Sequence, residues 1–320
     1  MSELYGRIMP ASKKQINDKT DFIKKQTDAL EKNLDVIKKQ FQDSEKEIKK
    51  DINKINQESA KTNQEIEKIM NRVDSLEAGI NELSKTVSFL EFQEKKIFRA
   101  SNESVWAHIF HDTIEGSLWL KNKIFYPGRW AAGYPFLYAL YRSLNEFQPR
   151  SILELGLGQT TRMIGQYAAY NKECRHIVTE HDTEWINIFK QDFELSDNTE
   201  ILKLDIEKKS YYNTVPSTAY VDFAEKLKGK KFDMISIDAP FGGDHLEYSR
   251  MDILQILPDC LNEDFVIFLD DYNRKGEQNM MEKLKEVLNN NQIKYTTGNY
   301  GGNKDTFMVT SESLKFLCTM

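Results

Sequence analysis

Residues 152–161, ILELGLGQTT, determine which fold the C-terminal part of this chain is expected to adopt. Ser151–Leu155 has the apolar, β-prone character of a buried strand, and Gly156 and Gly158 follow it at once. Glycines at this point let the backbone approach a ligand closely, because they carry no Cβ. A dinucleotide fingerprint would need a further glycine three positions after Gly158, where this chain has threonine. The stretch therefore departs from the NAD-binding pattern.

Strands and helices alternate after this stretch. Further strands are predicted at 176–180, 200–204, 232–238 and 265–270, with helices that include 135–147 and 183–193. Alternation of this kind predicts an α/β fold with a mostly parallel sheet covered on both faces, whose ligands bind at the carboxyl ends of the strands. Two extended segments in residues 292–311, joined through a Gly-Gly pair, predict a C-terminal antiparallel hairpin.

Acidic residues follow the predicted strands at that same edge. Glu180 ends the second strand in IVTEHD, Asp205 follows the third in LKLDI, and Asp238 ends the fourth. Asp270 and Asp271 end the fifth strand in VIFLDDYNR. One acid at a strand end is more often a solvated charge, but acids at consecutive strand ends favour a binding site.

S-adenosylmethionine fits these features better than a dinucleotide does. It has no pyrophosphate to be cradled, and its ammonium can be held by Glu154, the acid two residues before the first glycine. Glu180 is expected to accept hydrogen bonds from the ribose hydroxyls, and Asp205 to meet the adenine amino group. The candidate cofactor-binding residues are Glu154, Gly156, Gly158, Thr160, Glu180, His181, Asp205 and Asp238.

The first hundred residues are built differently. Residues 18–94 contain no proline and one glycine, and their many Lys, Glu, Gln and Asn residues favour helix. In residues 48–90 the aliphatic positions step by four and three, as in a heptad repeat, and a similar upstream rhythm joins it through a phase jump near Ser44. Pairs such as Val73/Leu76, with a β-branched residue at position a and leucine at position d, favour a parallel coiled coil of two helices. We expect a homo-oligomer, preferably a parallel dimer; the alternative is a long helix packed on its own globular domain.

Composition excludes several classes of function. The chain has 44 Lys+Arg against 50 Asp+Glu and no basic block, so no nucleic-acid partner is expected. Its three cysteines, Cys174, Cys260 and Cys318, are widely spaced and favour a reducing compartment. No apolar run has the length of a signal sequence or a transmembrane segment, so a cytoplasmic location is expected.

Residues 149–310 resemble the class I S-adenosylmethionine-dependent methyltransferases, through the glycine turn, the ordered strand-end acids and the terminal hairpin. The segments GLGQTT, TEHDTEWI, SIDAPFGG, SRMDIL and DDYNRKGE are similar to the polysaccharide-biosynthesis methyltransferases typified by glucuronoxylan 4-O-methyltransferase. The chain departs from that subgroup at Ser249 and at Asp270, which stands in place of a histidine. The resemblance implies a Rossmann-like sheet and methyl transfer to a hydroxyl of a glycan or sugar-derived acceptor.

Asp270 also makes the chain similar to a second subgroup, the magnesium-dependent sugar O-methyltransferases of antibiotic pathways. Carried over residue by residue, the metal ligands of that subgroup fall on Asp238, Asp270 and Asp271, whereas its general-base aspartate falls on Pro240. A bound Mg²⁺ would lower the pKa of the acceptor hydroxyl and orient it. In a third interpretation Asp271 only caps the following helix.

The alternative to a magnesium site is a metal-free site that uses the loop DAPFGGDHLEYSR, residues 238–250. The candidate general bases are then Asp238, Asp244 and His245. Arg250, the fourth candidate catalytic residue, either clamps a substrate carboxylate or pairs with Asp252 or Asp271. The aromatic rings of YPGRWAAGY, residues 126–134, either stack on sugar faces or belong to the core.

The predicted organisation has three parts. Residues 1–95 form a coiled-coil oligomerisation segment, 96–148 a helical and aromatic linker and cap, and 149–320 the methyltransferase domain. The alternatives are a small-molecule or phenolic acceptor, and a coiled-coil scaffold whose α/β domain binds the cofactor without turnover.

Overall fold

The computed structural model describes residues 13–128, 130–243 and 246–319. The chain divides between Ser88 and Phe89 into two compact units. One α-helix, α1 (Lys13–Ile114), forms the described part of the first unit and begins the second. The helix therefore continues beyond the heptad pattern, which ends at Leu90. None of the helices in the described ranges combines the length and the apolarity needed to cross a bilayer.

The predicted core positions of α1 in the first unit are exposed in the single chain. Val73 is 47% exposed, and Leu76, Ile80 and Leu83 are between 64% and 66% exposed. Polar positions of the same helix carry short-range ion pairs such as Lys49 to Glu45, with Nζ and Oε1 2.6 Å apart. The helix thus presents an apolar stripe between charged faces.

The second unit is built around a seven-stranded sheet with the order β3-β2-β1-β6-β7-β9-β8. The first five of these strands are parallel, and β9 and β8 are antiparallel to their neighbours. A separate antiparallel pair is formed by β4 and β5. In chain order the strands are β1 Ser151–Leu155, β2 Arg175–Glu180, β3 Thr199–Lys203, β4 Ile206–Lys209, β5 Ser217–Tyr220, β6 Phe232–Ile237, β7 Leu261–Leu269, β8 Tyr295–Gly301 and β9 Asp305–Ser311.

Helices and hydrophobic clusters, two large and one small, cover the two faces of this sheet. Strand residues alternate between the clusters, so Ile152 packs with Phe110 and Leu140, while Leu153 packs with the cluster that contains Met280. The remaining helices are α2 Tyr134–Glu146, α3 Gln159–Tyr170, α4 Thr183–Asp192, α5 Phe223–Lys226 and α6 Lys275–Asn290, with 3₁₀ helices at Met251–Gln255 and Glu312–Thr319.

The predicted α/β fold with a mostly parallel sheet and a C-terminal antiparallel hairpin is confirmed. Asp182 caps α4, since its Oδ1 accepts hydrogen bonds from the backbone N–H groups of Glu184 and Trp185. The short, polar strands β4 and β5 were not predicted. Strand β1 lies between β2 and β6, so the strand order reverses at β1: β2 and β3 lie on one side of it, and β6 and β7 on the other. Such a reversal leaves a crevice at the carboxyl end of β1.

Candidate functional site

A cavity of about 490 Å³ lies at the carboxyl ends of β1, β2 and β6. Backbone of the glycine turn, aromatic rings and charged side chains line it together. The lining residues are Trp130, Ala131, Ala132, Gly156, Leu157, Gly158, Gln159, Thr160, Glu180, His181, Asp182, Trp185, Asp238, Ala239, Phe241, Arg250, Asp271, Arg274 and Lys304.

The two glycines have different roles in the turn between β1 and α3. Gly156 has φ +105°, and a Cβ there would lie 2.9 Å from the Cβ of Ala239, so both conformation and packing require glycine. Gly158 precedes α3 in an extended conformation, and a Cβ there would meet nothing within 4 Å. The backbone at Gly158 therefore borders open space in the cavity.

Glu180, the last residue of β2, is held beside this turn. Its Oε1 accepts hydrogen bonds from the backbone N–H groups of His181 (2.6 Å) and Asp182 (2.9 Å), and its Oε2 accepts one from Leu157 (3.2 Å). The ring nitrogen Nδ1 of His181 lies 2.8 Å from Oε1. The indole of Trp185 donates to the carbonyl of Leu157 and lines the same cavity. The carboxylate is therefore fixed in orientation at the crevice.

Glu154 requires a correction, because the structure buries its side chain and does not place it in the lining of the cavity. Its side chain is 1% exposed, its Oε1 accepts from the hydroxyl of Thr160 (2.5 Å), and its Oε2 lies 2.9 Å from Nε2 of His176. Glu154 therefore ties the start of α3 to β2. Thr160 lines the cavity, although its hydroxyl donates to Glu154.

Asp205 requires a second correction. Its carboxylate is 80% exposed and pairs with Lys203, with Nζ and Oδ1 3.2 Å apart. The chain turns directly into β4 after Asp205, whose carbonyl accepts a hydrogen bond from the backbone of Val221. The unpredicted β4/β5 pair thus keeps Asp205 at the surface, away from the cavity.

The three aspartates predicted as metal ligands do converge. Asp238 follows β6, Asp270 and Asp271 follow the neighbouring strand β7, and one carboxylate oxygen from each lies within 4.8 Å of the others. Asp271 has φ +59°, a left-handed conformation that is uncommon for a residue other than glycine. Backbone strain of this kind concentrates at functional sites.

Cationic side chains already bind these carboxylates. Nη2 of Arg250 lies 3.1 Å from Oδ1 of Asp238 and 2.9 Å from Oδ2 of Asp271, while its Nη1 donates to the carbonyl of Asp270. Arg250 thus pairs with Asp271, whereas Asp252 accepts a hydrogen bond from the backbone of Tyr220. Arg250 is 3% exposed, and it donates these three hydrogen bonds to groups of the protein.

Lys304 and Arg274 complete the set of cations. Nζ of Lys304 lies 2.8 Å from Oδ2 of Asp270 and 3.3 Å from Oδ1 of Asp271. Nη1 of Arg274 lies 2.8 Å from Oδ2 of Asp271. Lys304, which lies in the turn GGNKD between β8 and β9, was not among the predicted site residues. A lysine in the loop of a terminal hairpin cannot be assigned to a site from the sequence pattern, because the pattern does not show which strand the hairpin pairs with.

The donor set in this arrangement does not fit a divalent cation. Among the described residues, the carboxylates of Asp238, Asp270, Asp271 and the buried Glu277 face three cations, Arg250, Arg274 and Lys304. Oδ1 of Asp238, Oδ2 of Asp270 and both oxygens of Asp271 already contact nitrogen donors. Oδ1 of Asp270 is buried and has no hydrogen-bond partner among the described residues. A divalent cation would have to compete with Arg250, Arg274 and Lys304 for these oxygens.

Burial and charge separate the protonation behaviour of the aspartates. Burial raises the pKa of Asp238 to about 8, with a further contribution from the negative charge of Asp270. Burial also tends to raise the pKa of Asp271, but the positive charges of Arg250 and Lys304 outweigh it and lower that pKa. Burial opposes the charge of Lys304, yet Asp270 and Asp238 raise its pKa overall. Burial raises the pKa of Asp270 too, but of these two aspartates with a raised pKa only Asp238 lines the cavity.

Two candidate catalytic residues, Asp244 and His245, lie outside the described residues. The same holds for Arg129 in the aromatic segment. On either side of these gaps, Trp130 and Phe241 face each other at the cavity with ring centroids 5.5 Å apart. They are 75% and 57% exposed, so two large rings stand at its mouth without being part of the core.

Comparison with known proteins gives matches among solved structures alone. No protein-family model and no curated protein matches the chain. An O-methyltransferase from Bacillus cereus in complex with SAH is 14% identical, with 67% of this chain and 92% of that one covered and a TM-score of 0.37. A Podospora anserina methyltransferase bound to SAH is 12% identical, with 57% and 80% covered and a TM-score of 0.37.

A third similar structure is the O-methyltransferase TomG from Streptomyces achromogenes, which is involved in tomaymycin synthesis and was solved with SAM. It is 16% identical, with 55% of this chain and 78% of that one covered and a TM-score of 0.34. All three TM-scores are low, so the fold described above depends on the strand order of this chain itself.

Proposed function

We propose that the second unit is an S-adenosylmethionine-dependent O-methyltransferase that acts on a hydroxyl of a glycan or sugar-derived acceptor. The observation that carries the proposal is the single cavity that brings the glycine turn, Glu180 and Asp238 together at the crevice of the sheet. Ligands of open α/β sheets bind at this position.

The residues around the turn fit the adenosyl part of the cofactor. Oε1 of Glu180 accepts two backbone hydrogen bonds and lies beside Nδ1 of His181, whereas Oε2 accepts one. Oε2 therefore has capacity for a ribose hydroxyl. The open space beside Gly158 admits a ligand against the backbone. The indole of Trp185 offers a partly exposed ring for stacking on adenine.

Asp238 is the candidate general base. Bound S-adenosylmethionine would supply a methyl group on a positively charged sulfur. A sugar hydroxyl is a weak nucleophile and must lose its proton to a base as it attacks. Asp238 lines the cavity, is 19% exposed and has a pKa near 8, while Arg250 fixes the position of its Oδ1. A carboxylate with this pKa is suited to accept the proton close to neutral pH.

Trp130 and Phe241 are the candidate acceptor-binding residues. Their exposed rings at the cavity mouth can stack on the apolar face of a sugar ring. The same observation favours a second candidate, a phenolic or other small aromatic acceptor, because aromatic rings also stack on aromatic rings. The two candidates share the cofactor site and differ only at this mouth.

Acceptor screening tests the proposal. Transfer of labelled methyl from S-adenosylmethionine is measured with a glycan extract, with purified mono- and oligosaccharides, and with a set of phenols. Glycan-dependent transfer that falls in Trp130→Ala supports the proposal, whereas transfer to phenols alone favours the second candidate. Absence of transfer to any of them, with cofactor binding intact, favours the scaffold alternative.

We further propose that the segment predicted as a coiled coil, residues 1–95, pairs with a second copy of this chain in a parallel arrangement; residues 13–95 of it are described as helix. The apolar stripe of α1 is about half exposed or more along its heptads. One narrow stripe matches one partner helix, because a broad core face would need apolar residues over a wider arc.

A further inference from the structure

Lys304 lies where two carboxylates and the cavity meet. Its ammonium contacts Oδ2 of Asp270 and Oδ1 of Asp271, and its side chain is 12% exposed. An ammonium has three N–H donors, and the two carboxylates account for two of them. Because Lys304 also lines the cavity, the third donor is available to an oxygen bound there.

Helix α1 holds the turn that carries Lys304 through contacts before and after this residue. The guanidinium of Arg99 in α1 binds both oxygens of Asp305, at 3.0 and 3.2 Å. Glu103 accepts a hydrogen bond from the backbone of Asn303, and the indole of Trp106 donates to the carbonyl of Gly301. Three residues of one helix thus fix the backbone on either side of Lys304.

Gly302 shows how closely this turn packs against α1. A Cβ at Gly302 would lie 2.2 Å from Oε2 of Glu103 and 2.8 Å from Cγ of Pro135. Only glycine fits there without displacing its neighbours. The turn is therefore built to approach the helix, and Lys304 is delivered to the aspartates by a rigid support.

We propose that the ammonium group of Lys304 takes the place of a divalent cation at Asp238, Asp270 and Asp271, and that it stabilises the negative charge that develops on the acceptor oxygen. The first part of this proposal, that Lys304 occupies the position of a cation between the carboxylates, does not depend on the proposed function. The role toward the acceptor rests on the proposed function.

In the transfer step, the acceptor oxygen gives its proton to Asp238 and forms a bond to the methyl carbon. The carbon–sulfur bond breaks, and its electron pair stays on sulfur, which becomes a neutral thioether. Lys304 stays protonated throughout and donates a hydrogen bond to the acceptor oxygen. A fixed positive donor aimed at developing charge lowers the barrier without needing a metal.

Binding of Mn²⁺, followed by electron paramagnetic resonance on the full chain, tests the occupation of the cation position. Lys304→Ala removes the resident cation and leaves the three carboxylates, so we expect it to bind one Mn²⁺ at least about tenfold more tightly than the wild type does. The new site should disappear in Lys304→Ala/Asp270→Asn. The control Lys294→Met removes an exposed lysine before β8 and should behave like the wild type.

Two outcomes would overturn the proposal. One is a wild-type chain that binds one Mn²⁺ as tightly as Lys304→Ala, with loss of that site in Asp270→Asn. The other is no gain of Mn²⁺ binding in Lys304→Ala or in Lys304→Gln, each checked by circular dichroism to be folded. Binding of S-adenosylhomocysteine is measured on the same samples, so its absence from the wild type would remove the proposed function while the Mn²⁺ result still decides the position of Lys304.

Discussion

Asp238 combines partial access to the cavity with a raised pKa. Its neighbours differ. Arg250 and Lys304 lower the pKa of Asp271, whereas burial raises the pKa of Asp270, which is fully buried and does not line the cavity. One carboxylate of the group can therefore exchange a proton near neutral pH while another stays charged. Environments that push the pKa values of neighbouring acids apart are typical of general acid–base sites.

The rate of methyl transfer should depend on the protonation of Asp238. A general base works when deprotonated, so kcat is expected to rise with pH and to level off above about 8. Asp238→Asn should lower kcat by about 10²- to 10⁴-fold with little change in cofactor affinity. Asp259→Asn, which alters an exposed carboxylate, is the matched control. A pH profile that stays the same in Asp238→Asn would exclude this residue as the base.

The two glycines of the turn should respond differently to alanine. Gly156→Ala places a Cβ in a left-handed conformation and against Ala239, and should destabilise the domain by about 1–3 kcal/mol. Gly158→Ala meets no atom within 4 Å, so the free energy of unfolding should change little, while the new methyl group narrows the cavity and weakens cofactor binding. Thermal unfolding and calorimetric titration separate the two effects. Equal destabilisation by both substitutions would contradict this account.

At the scale of elements, the acids that end a strand and those within it behave differently. Glu180 is the last residue of β2 and reaches the cavity, whereas Glu154 lies inside β1 and points to a face of the sheet covered by α3. Alternation along a strand, together with its boundary, decides which edge or face an acid meets. The sequence predicts the strands. However, an error of one residue in the end of a strand decides whether an acid is placed at the cavity or on a covered face of the sheet.

Pairing between strands that are far apart in the sequence also limited how much of the site could be predicted. The convergence of Asp238 with Asp270 follows from neighbouring parallel strands and was predicted. The arrival of Lys304 depends on β9 pairing with β7, and the displacement of Asp205 depends on the short β4/β5 pair. Both require contacts between segments far apart in the chain, for which periodicity in one segment carries no information.

The contact between α1 and the β8–β9 turn should matter for turnover more than for cofactor binding. Arg99→Ala removes the bidentate pair with Asp305 and should loosen the turn that carries Lys304. We expect faster hydrogen exchange in residues 301–305 and a fall in kcat of roughly tenfold, because misplacement of a charged donor weakens its effect. Affinity for S-adenosylhomocysteine should be retained. Arg72→Ala, on the same helix in the first unit, is the control, and unchanged exchange in Arg99→Ala would contradict the support role.

At the scale of the whole molecule, residues 13–88, the described part of the first unit, form no core of their own in the single chain. Its aliphatic residues follow a heptad and remain exposed, while the second unit buries two large hydrophobic clusters. The heptad could be predicted from the sequence because it is local. The number and direction of the helices that bind to it depend on another chain, so they stay a prediction.

Charged residues in the stripe should separate the copies. Ile80→Lys/Leu83→Lys places charges at paired a and d positions and should shift the mass in solution from dimer to monomer, measured by light scattering. Asn81→Lys adds a charge outside the stripe and should leave the mass unchanged. A monomeric wild type, or a double variant with the same mass as an oligomeric wild type, would contradict the coiled-coil proposal.

Binding of S-adenosylhomocysteine tests the central claim most directly. Isothermal titration calorimetry should show one site per chain in the wild type and at least about tenfold weaker binding in Glu180→Gln, which loses a charged acceptor at the crevice. The exposed-site control Glu173→Gln should bind as the wild type does, and NAD should give no heat. Absence of heat with S-adenosylhomocysteine, or binding of NAD in its place, would contradict the proposed function.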